Sequence, residues 1–376
     1  AKGTGLPGAN FYAPLRAAAE ATGVRVETET RVTGLVVDDG VVVGVRAAQV
    51  RGAWARARHR WLSAAAIKLN PYSPQLARKL RAAAEQIERT SSAPMFIRAK
   101  RGVVLSSGGF IYNRAMVEQH APRYRPGMPL GTAGCNGDAI TLGGTVGAAT
   151  ALLDRVSAWR FINPPEAFGR GILVDRAGQR IVNERLYGAQ VGRAMVERHN
   201  GEAILILDRA LFDEALRQCR PGTGIHWFQQ APALINLYAN RRVSPSIAGL
   251  ARAARIDGPA LQATIDAYNA AARAGTADAM GKEPAFVHAL EQGPFYAIDC
   301  GLRSKRFPCP TLTLGGLVVD EHTGQVRRDD GANVPGLYAA GRAAVGICSN
   351  DYVSGLSLAD CVFSGRRAGR SAAGQG

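Results

Sequence analysis

The stretch Thr311-Leu312-Thr313-Leu314-Gly315-Gly316-Leu317-Val318-Val319-Asp320 opens the part of the sequence that decides the fold. It is followed by Pro335-Gly336-Leu337-Tyr338-Ala339-Ala340-Gly341 and then by Tyr352-Val353-Ser354-Gly355-Leu356-Ser357-Leu358-Ala359-Asp360. Short apolar runs at 317–319 and 337–339 read as strands, and the second runs into glycine. A helix is expected to begin near Ser357, with Ser357 and Asp360 spaced as a capping-box-like pair. Free amides and the positive end of that helix then fall beside Gly355 and Leu356.

Upstream, residues 295–300 read as a return towards a first domain. Between about 154 and 294 short strands (171–175, 203–207) alternate with helices (208–217, 246–253, 258–272), which implies a second domain. Before it, Gly137-Asp138 opens a helix expected over 139–153. Residues 101–105 form a short apolar strand that runs into Ser106, Ser107, Gly108, Gly109 and Phe110. Small residues at the end of a buried strand let a ligand approach the backbone. At the start of the chain, 10–22 reads as a helix and 24–28 and 31–37 as strands. Asp38-Asp39-Gly40 is a hairpin turn signal, with a returning strand at 41–45. Residues 51–98 are rich in Arg and Ala and break this pattern. They read as an insertion at a hairpin end, with a surface helix at 74–89. No internal repeat is visible.

With 376 residues the chain is long enough for two domains, each with its own core. The hydrophobic fraction of 47% and charged fraction of 20% are those of an ordinary globular protein. No apolar run reaches the roughly 18 residues of a membrane span. Residues 1–8 lack the features of a signal peptide. The first residue is Ala, consistent with truncation or processing. The net charge of +16 comes mostly from scattered arginines. No RNP-like, zinc-finger or basic-zipper pattern accompanies it, so no nucleic-acid partner is expected. A basic surface would still steer acidic partners. Cys135, Cys219, Cys300, Cys309, Cys348 and Cys361 form no CxxC pair, and no His stands at zinc-ligand spacing. Free thiols in a reducing cytoplasm, and no metal, are expected.

Gly3-Thr4-Gly5-Leu6-Pro7-Gly8 matches GxGxxG, with Glu27 or Glu29 where a ribose-binding acid would stand. No strand precedes it in the chain. It reads better as a glycine loop feeding a helix, its amides turned to a ligand.

The C-terminal segments resemble the closing part of the FAD-binding family that contains fumarate reductase, L-aspartate oxidase and the 3-ketosteroid dehydrogenases. Other blocks agree in order: the opening Gly-rich helix and hairpin, 103–110 and 137–148. Ile181-Val182-Asn183-Glu184 resembles a further family block. The resemblance implies an α/β fold: a discontinuous, Rossmann-like FAD-binding domain with an inserted α+β capping domain. The segments are 1–150, 151–295 and 296–376, the middle one being the cap. The strand–GxGxxG–helix unit with which the family opens is missing from this fold, so the chain alone is expected to hold FAD weakly. The cofactor-facing residues this implies are Ser106, Ser107, Gly108, Gly109, Phe110, Asp138, Gly341, Arg342, Gly355, Leu356, Ser357 and Leu358. Arg342 stands where many members have Glu.

Within the family, fumarate reductases need positive groups at the flavin face. Here Arg185 is followed by Leu186-Tyr187-Gly188, and Trp159, Phe161 and Ile162 occupy the region of a substrate histidine. These suit an apolar ligand better than a dicarboxylate. Tyr352-Val353-Ser354-Gly355 is similar to the tyrosine–x–serine motif of the dehydrogenases that desaturate 5α-3-ketosteroids. The resemblance implies Tyr352 as the group that removes an α-proton, Ser354 as its relay and Tyr187 as a hydrogen-bond donor. Two residues apart in an extended segment, Tyr352 and Ser354 are expected on one face. Asp351 and Arg342 are nearby charges able to tune the tyrosine. The expected partners are an apolar ketone and an electron acceptor. The alternatives are a reductase of an activated double bond and an inactive fragment that does not hold FAD.

Overall fold

The computed structural model describes residues 7–70 and 73–374. They fall into two compact units divided between Val103 and Val104. The division lies inside the first of the three expected segments.

The first unit runs α1 (Pro7–Ala21), β1 (Thr30–Asp38), β2 (Val41–Val50), α2 (Ala53–Leu69), α3 (Pro74–Ser91) and β3 (Ser92–Arg98). Its strands form one antiparallel sheet in the order β1-β2-β3. Asp38 pairs with Val41 across the expected turn. Asp39 and Gly40 there have φ of 46° and 77°, the two left-handed residues that a type I′ hairpin requires. The strand expected over 24–28 does not form. Val24 and Val26 are exposed, and Arg25 pairs locally with Glu27 at 2.7 Å, so extension there would bury nothing. The helical pair α2 and α3 fills the break between β2 and β3, which pair from Gly44 with Arg98 to Val50 with Ser92. This is an insertion at a hairpin end, as the composition suggested. Of the glycine motif, residues 3–6 lie outside the described residues, and Pro7 and Gly8 open α1.

The second unit begins within β4 (Val103–Leu105) and continues α4 (Arg114–His120), β5 (Met128–Pro129), α5 (Asp138–Gly144), β6 (Thr150–Ala151), β7 (Val156–Ala158) and α6 (Glu166–Arg170). Then come β8 (Ile172–Val174), α7 (Gly188–Arg198), β9 (Ile204–Leu207), α8 (Arg209–Gln218), α9 (Trp227–Tyr238), β10 (Arg241–Ser244), α10 (Ile247–Ala254) and α11 (Gly258–Ala274). The chain closes with β11 (Phe295–Asp299), β12 (Pro310–Thr313), β13 (Gly316–Leu317), β14 (Gln325–Arg327), β15 (Asn333–Ala339) and α12 (Leu356–Ala372).

The core gathers around the sheet ordered β10-β11-β9-β8. Leu205, Ile206 and Leu207 are each 0% exposed. Successive strand residues point to opposite faces, so both faces of β9 are covered. Each such side chain contributes about 1.5–3 kcal/mol of burial. Phe212 of α8 stacks on Tyr296 of β11 with ring centroids 3.8 Å apart. β11 pairs with both β9 and β10, so the segment expected to lead back to the first domain is a strand of this sheet. The helix expected over 139–153 stops at Gly144. Gly143, Gly144 and Gly147 weaken it, and β6 starts at Thr150.

Behind β8 lies a buried ion network. Glu184, 1% exposed, accepts from Leu173 N at 2.8 Å and from Arg180 at 2.9 and 2.7 Å. Lys282 Nζ lies 2.8 Å from the same carboxylate and donates to Gly171 O at 2.6 Å. Arg180 also pairs with Asp278. This explains the Asn183-Glu184 block: Glu184 fixes β8, and Asn183 Nδ2 donates to Gly281 O. Among the described residues no helix is long and apolar enough to cross a membrane.

Candidate active site

β4 and β15 are neighbours in their sheet, and Ala340 N donates to Leu105 O at 3.0 Å where both end. The loops that leave them are therefore side by side. Gly108 and Gly341 have φ of 84° and 60°, values that glycine adopts without a steric penalty. Gly109 lies so close to Thr313 of β12 that a Cβ would clash with its Oγ1. The same Oγ1 accepts from Phe110 N at 3.0 Å. Ser107 Oγ accepts from Ala139 N at 3.2 Å, which ties this loop to the first turn of α5, next to Asp138. Ser106 and Ser107 are exposed. Phe110, expected among the cofactor-facing residues, has its side chain in the core at 0% exposure. It anchors the loop.

Arg342 joins the two loops. Its Nη2 donates to Cys135 Sγ at 3.3 Å and lies 3.8 Å from where a Cβ on Gly108 would stand. Its Nη1 is buried without a partner. An unsatisfied buried guanidinium donor is costly unless an acceptor reaches it.

α12 starts at Leu356, and its N-cap is Gly355 at φ 86°, with no side-chain cap. The expected Ser357–Asp360 capping pair is not formed. The cap falls two residues before Ser357, and Asp360 turns inward, 7% exposed, beneath Gly346. Burial pushes the Asp360 carboxyl above its ordinary pKa, although Ile347 N donates to it. Leu356 and Leu358 are exposed and Ser357 is half-buried. An uncapped, exposed helix start offers amides and partial positive charge to an anionic group. Together with Ser106, Ser107 and Arg342, this donor set fits the polar parts of a flavin.

The three expected catalytic residues are brought into one neighbourhood. Tyr352 is 6% exposed, and its ring centroid lies 4.6 Å from that of Trp159. Trp159 meets Phe161 edge-on at 6.0 Å, and Phe161 meets Tyr187 edge-on at 5.1 Å. Tyr187 Oη accepts from Ser354 N at 2.8 Å, so its own proton remains available to donate. Ser354 is exposed whereas Tyr352 is buried. The segment here is irregular, not extended, so the two do not share a face as expected.

The fold holds these groups through α7. Tyr187 is the residue before its first turn. Arg193 of α7 pairs with Asp351 at 3.3 Å, and Asp351 Oδ1 accepts from Tyr352 N at 2.9 Å. Gly192 lets α7 approach Ala158 O of β7 so closely that a Cβ would clash, and a Cβ on Gly188 would lie 2.5 Å from Phe161. Ile162 belongs to the core at 3% exposure, not to a ligand surface. Arg185 lies with its guanidinium 3.6 Å over the Phe286 ring, and its Nη1 is buried without a partner. Arg342, Ser349, Tyr352 and Asp360 line a cavity of about 10 Å³. Such a space holds about one water, so a ring system has to bind against the exposed residues outside it. Arg193 and Cys135 were not singled out for the site, because no local spacing links them to it.

Residues 2–358 match a family described as FAD binding domain. The chain is 36% identical over 345 residues to a 3-oxo-5-alpha-steroid 4-dehydrogenase of Comamonas testosteroni, covering 90% of this chain and 64% of that one. It is similar to the crystal structure of 3-ketosteroid-delta4-(5alpha)-dehydrogenase from Rhodococcus jostii RHA1 in complex with 4-androstene-3,17-dione. That likeness has a TM-score of 0.72 and 31% identity, over 96% of this chain and 62% of that one. A fumarate reductase (cytochrome) of Shewanella frigidimarina is 28% identical over 282 residues, 72% of this chain and 45% of that one. The chain thus spans less than two thirds of the length of each of these relatives.

Proposed function

The chain belongs to the FAD binding domain family, and on that footing we propose that it acts in the oxidation of a C–C bond beside a ketone in a steroid-like apolar substrate. The observation that carries this reading is the cluster of Trp159, Phe161, Tyr187 and Tyr352, an apolar surface with two phenol oxygens. The likeness to steroid dehydrogenases supports it. In this reading residues 1–150 and 300–376 serve the cofactor and 151–299 cap the substrate, the second boundary falling past β11 and not at 295 as expected.

FAD, when bound, supplies the two-electron acceptor for the β-hydride. Ser106, Ser107, Gly108, Gly109, Asp138, Gly341, Arg342 and the start of α12 at Gly355, Leu356, Ser357 and Leu358 would hold it. Tyr352 Oη takes the α-proton as its own phenolic proton passes to a water in the adjoining cavity and on to solvent. Arg342 Nη1, which has no other partner, is the donor available to the charge that develops as this proton moves. Tyr187 Oη–H donates a hydrogen bond to the substrate carbonyl and keeps its proton, while Ser354 N holds the tyrosine oxygen in place. Trp159 and Phe161 exclude water from the reacting carbons. Turnover would require an external electron acceptor.

The test is product analysis. The FAD-loaded protein, a saturated 5α-3-ketosteroid and an artificial electron acceptor should give a product lighter by two hydrogens, with the new double bond next to the ketone. Reduction of fumarate by reduced dye, with no change in the steroid, would replace this reading by the reductase one.

A further inference from the structure

A second concave site lies on the sheet of β8 to β11. Strand register sets its floor. Arg242 stands opposite Ala297, and Asp299 opposite Ile204. Residues directly opposite, and residues two apart along a strand, share a face. Arg242, Ala297, Asp299 and Ile204 therefore lie on one face, while Tyr296 is stacked beneath Phe212 on the other. Ala253 and Ala254 of α10 add an apolar wall to the groove, which measures about 780 Å³. That is within the roughly 300–1,000 Å³ of small-molecule sites. None of its lining residues lines the cavity at Tyr352.

The rim is cationic. Arg176, Arg242, Arg255, Arg303, Lys305 and Arg306 face a single lining carboxylate, Asp299. All six cations are exposed. Among the described residues only Arg176 of these six forms an ion pair, with Glu202 at 3.2 Å. Arg255 is held in the left-handed region at φ 59° where α10 ends, a position usually given to glycine or asparagine. Such a concentration of one sign in a concave surface raises the local concentration of anions. Guanidinium forks match phosphate oxygens in geometry as well as charge. Asn240 spends its amide hydrogens on Asn236 Oδ1 and Asp299 O, at 2.9 and 2.8 Å, which leaves its Oδ1 as an acceptor.

We propose that this groove binds a small polyphosphate-bearing anion, the phosphates on the arginine and lysine rim. A nucleoside polyphosphate would also use the apolar floor and the acceptors Asn240 and Asp299; an inorganic polyphosphate would use the rim alone. The site is independent of the active-site reading, so either can fail without the other.

The experiment is titration calorimetry on the protein saturated with FAD, so that nucleotide does not report on the cofactor site. The probes are ATP, inorganic tripolyphosphate and adenosine. The double variant Arg242→Glu/Arg306→Glu is compared with Arg78→Glu/Lys79→Glu, which makes the same change in net charge at exposed residues of the first unit. ATP should bind, adenosine should not, and the groove variant should weaken ATP by about a hundredfold, the worth of two charged hydrogen bonds. The control variant should bind as the parent does. ATP tighter than tripolyphosphate identifies a nucleotide, and equal binding identifies an inorganic polyphosphate. No binding by either phosphate compound, equal loss in both variants, or adenosine binding as tightly as ATP would overturn the proposal. Circular dichroism of both variants verifies that they are folded.

Discussion

Tyr352→Phe is expected to slow reduction of the flavin by a saturated 3-ketosteroid by about two to four orders of magnitude, the usual worth of a general base. The α-proton beside a ketone is weakly acidic, so its removal needs a base held within hydrogen-bond reach. Phenylalanine keeps the ring that packs 4.6 Å from Trp159 and removes only the oxygen. Tyr352 sits in a small buried cluster with Ala189, Leu312 and Leu314, and that packing survives the change. Substrate affinity should therefore alter little, because the phenol acts mainly in the transition state. Rapid-mixing measurement of flavin reduction, with the substrate dissociation constant from its concentration dependence, separates the two effects. A variant that reduces flavin at the parent rate would leave Tyr352 a packing residue and move the base to Tyr187.

The largest expected loss of stability comes from Glu184→Ala. The substitution removes the carboxylate that faces both Arg180 and the fully buried Lys282. Breaking a buried ion network from one side costs about 3–5 kcal/mol, because the remaining charges stay out of water without a counter-ion. It also takes the acceptor from Leu173 N in the middle of β8. Denaturant unfolding should show a midpoint lowered accordingly, with Glu184→Gln close behind, since the amide keeps the shape but not the charge. A loss below about 0.5 kcal/mol, the range of ordinary surface substitutions, would contradict it. Asp278 in the same network is held below the ordinary Asp pKa. Burial pushes it up, but the hydrogen bonds from Arg180, Lys282 N and Met280 N outweigh that. Its contribution is thus complete above the unfolded-state value and fades as pH falls through its own lower one.

Much of this was legible in the sequence where the signal is local. The Asp39-Gly40 turn, the apolar strands at 172–174 and 204–207, and the helices after Asp208, Ser246 and Asp257 follow from turn chemistry, burial runs and capping residues. Asp208, Ser246 and Asp257 each accept from an amide in the first turn of the helix they precede. Ser357 with Asp360 has the same local look and fails, because Gly346 leaves room that draws Asp360 inward. The gathering of Tyr352, Ser354 and Tyr187 came from a family resemblance, since residues 165 or more apart carry no common periodicity. What joins them, the Arg193–Asp351 pair and the close approach of Gly192 to Ala158, is tertiary and leaves no mark in local pattern. Helix α2 and strand β3 were hidden for a different reason. α2 leaves Trp54 77% exposed and Trp61 65% exposed among its arginines, so its face lacks the apolar stripe that marks a helix.

The most direct test of flavin-dependent oxidation at this site is anaerobic bleaching. The FAD-loaded protein is mixed with a saturated 5α-3-ketosteroid in the absence of oxygen and of any other electron acceptor, and the flavin absorbance is followed. The expected result is loss of the oxidised-flavin band in step with formation of one equivalent of unsaturated ketone, and no reoxidation when fumarate is added. A flavin band left unchanged by the steroid, in a protein whose dye-reduced flavin is promptly reoxidised by fumarate, would contradict it.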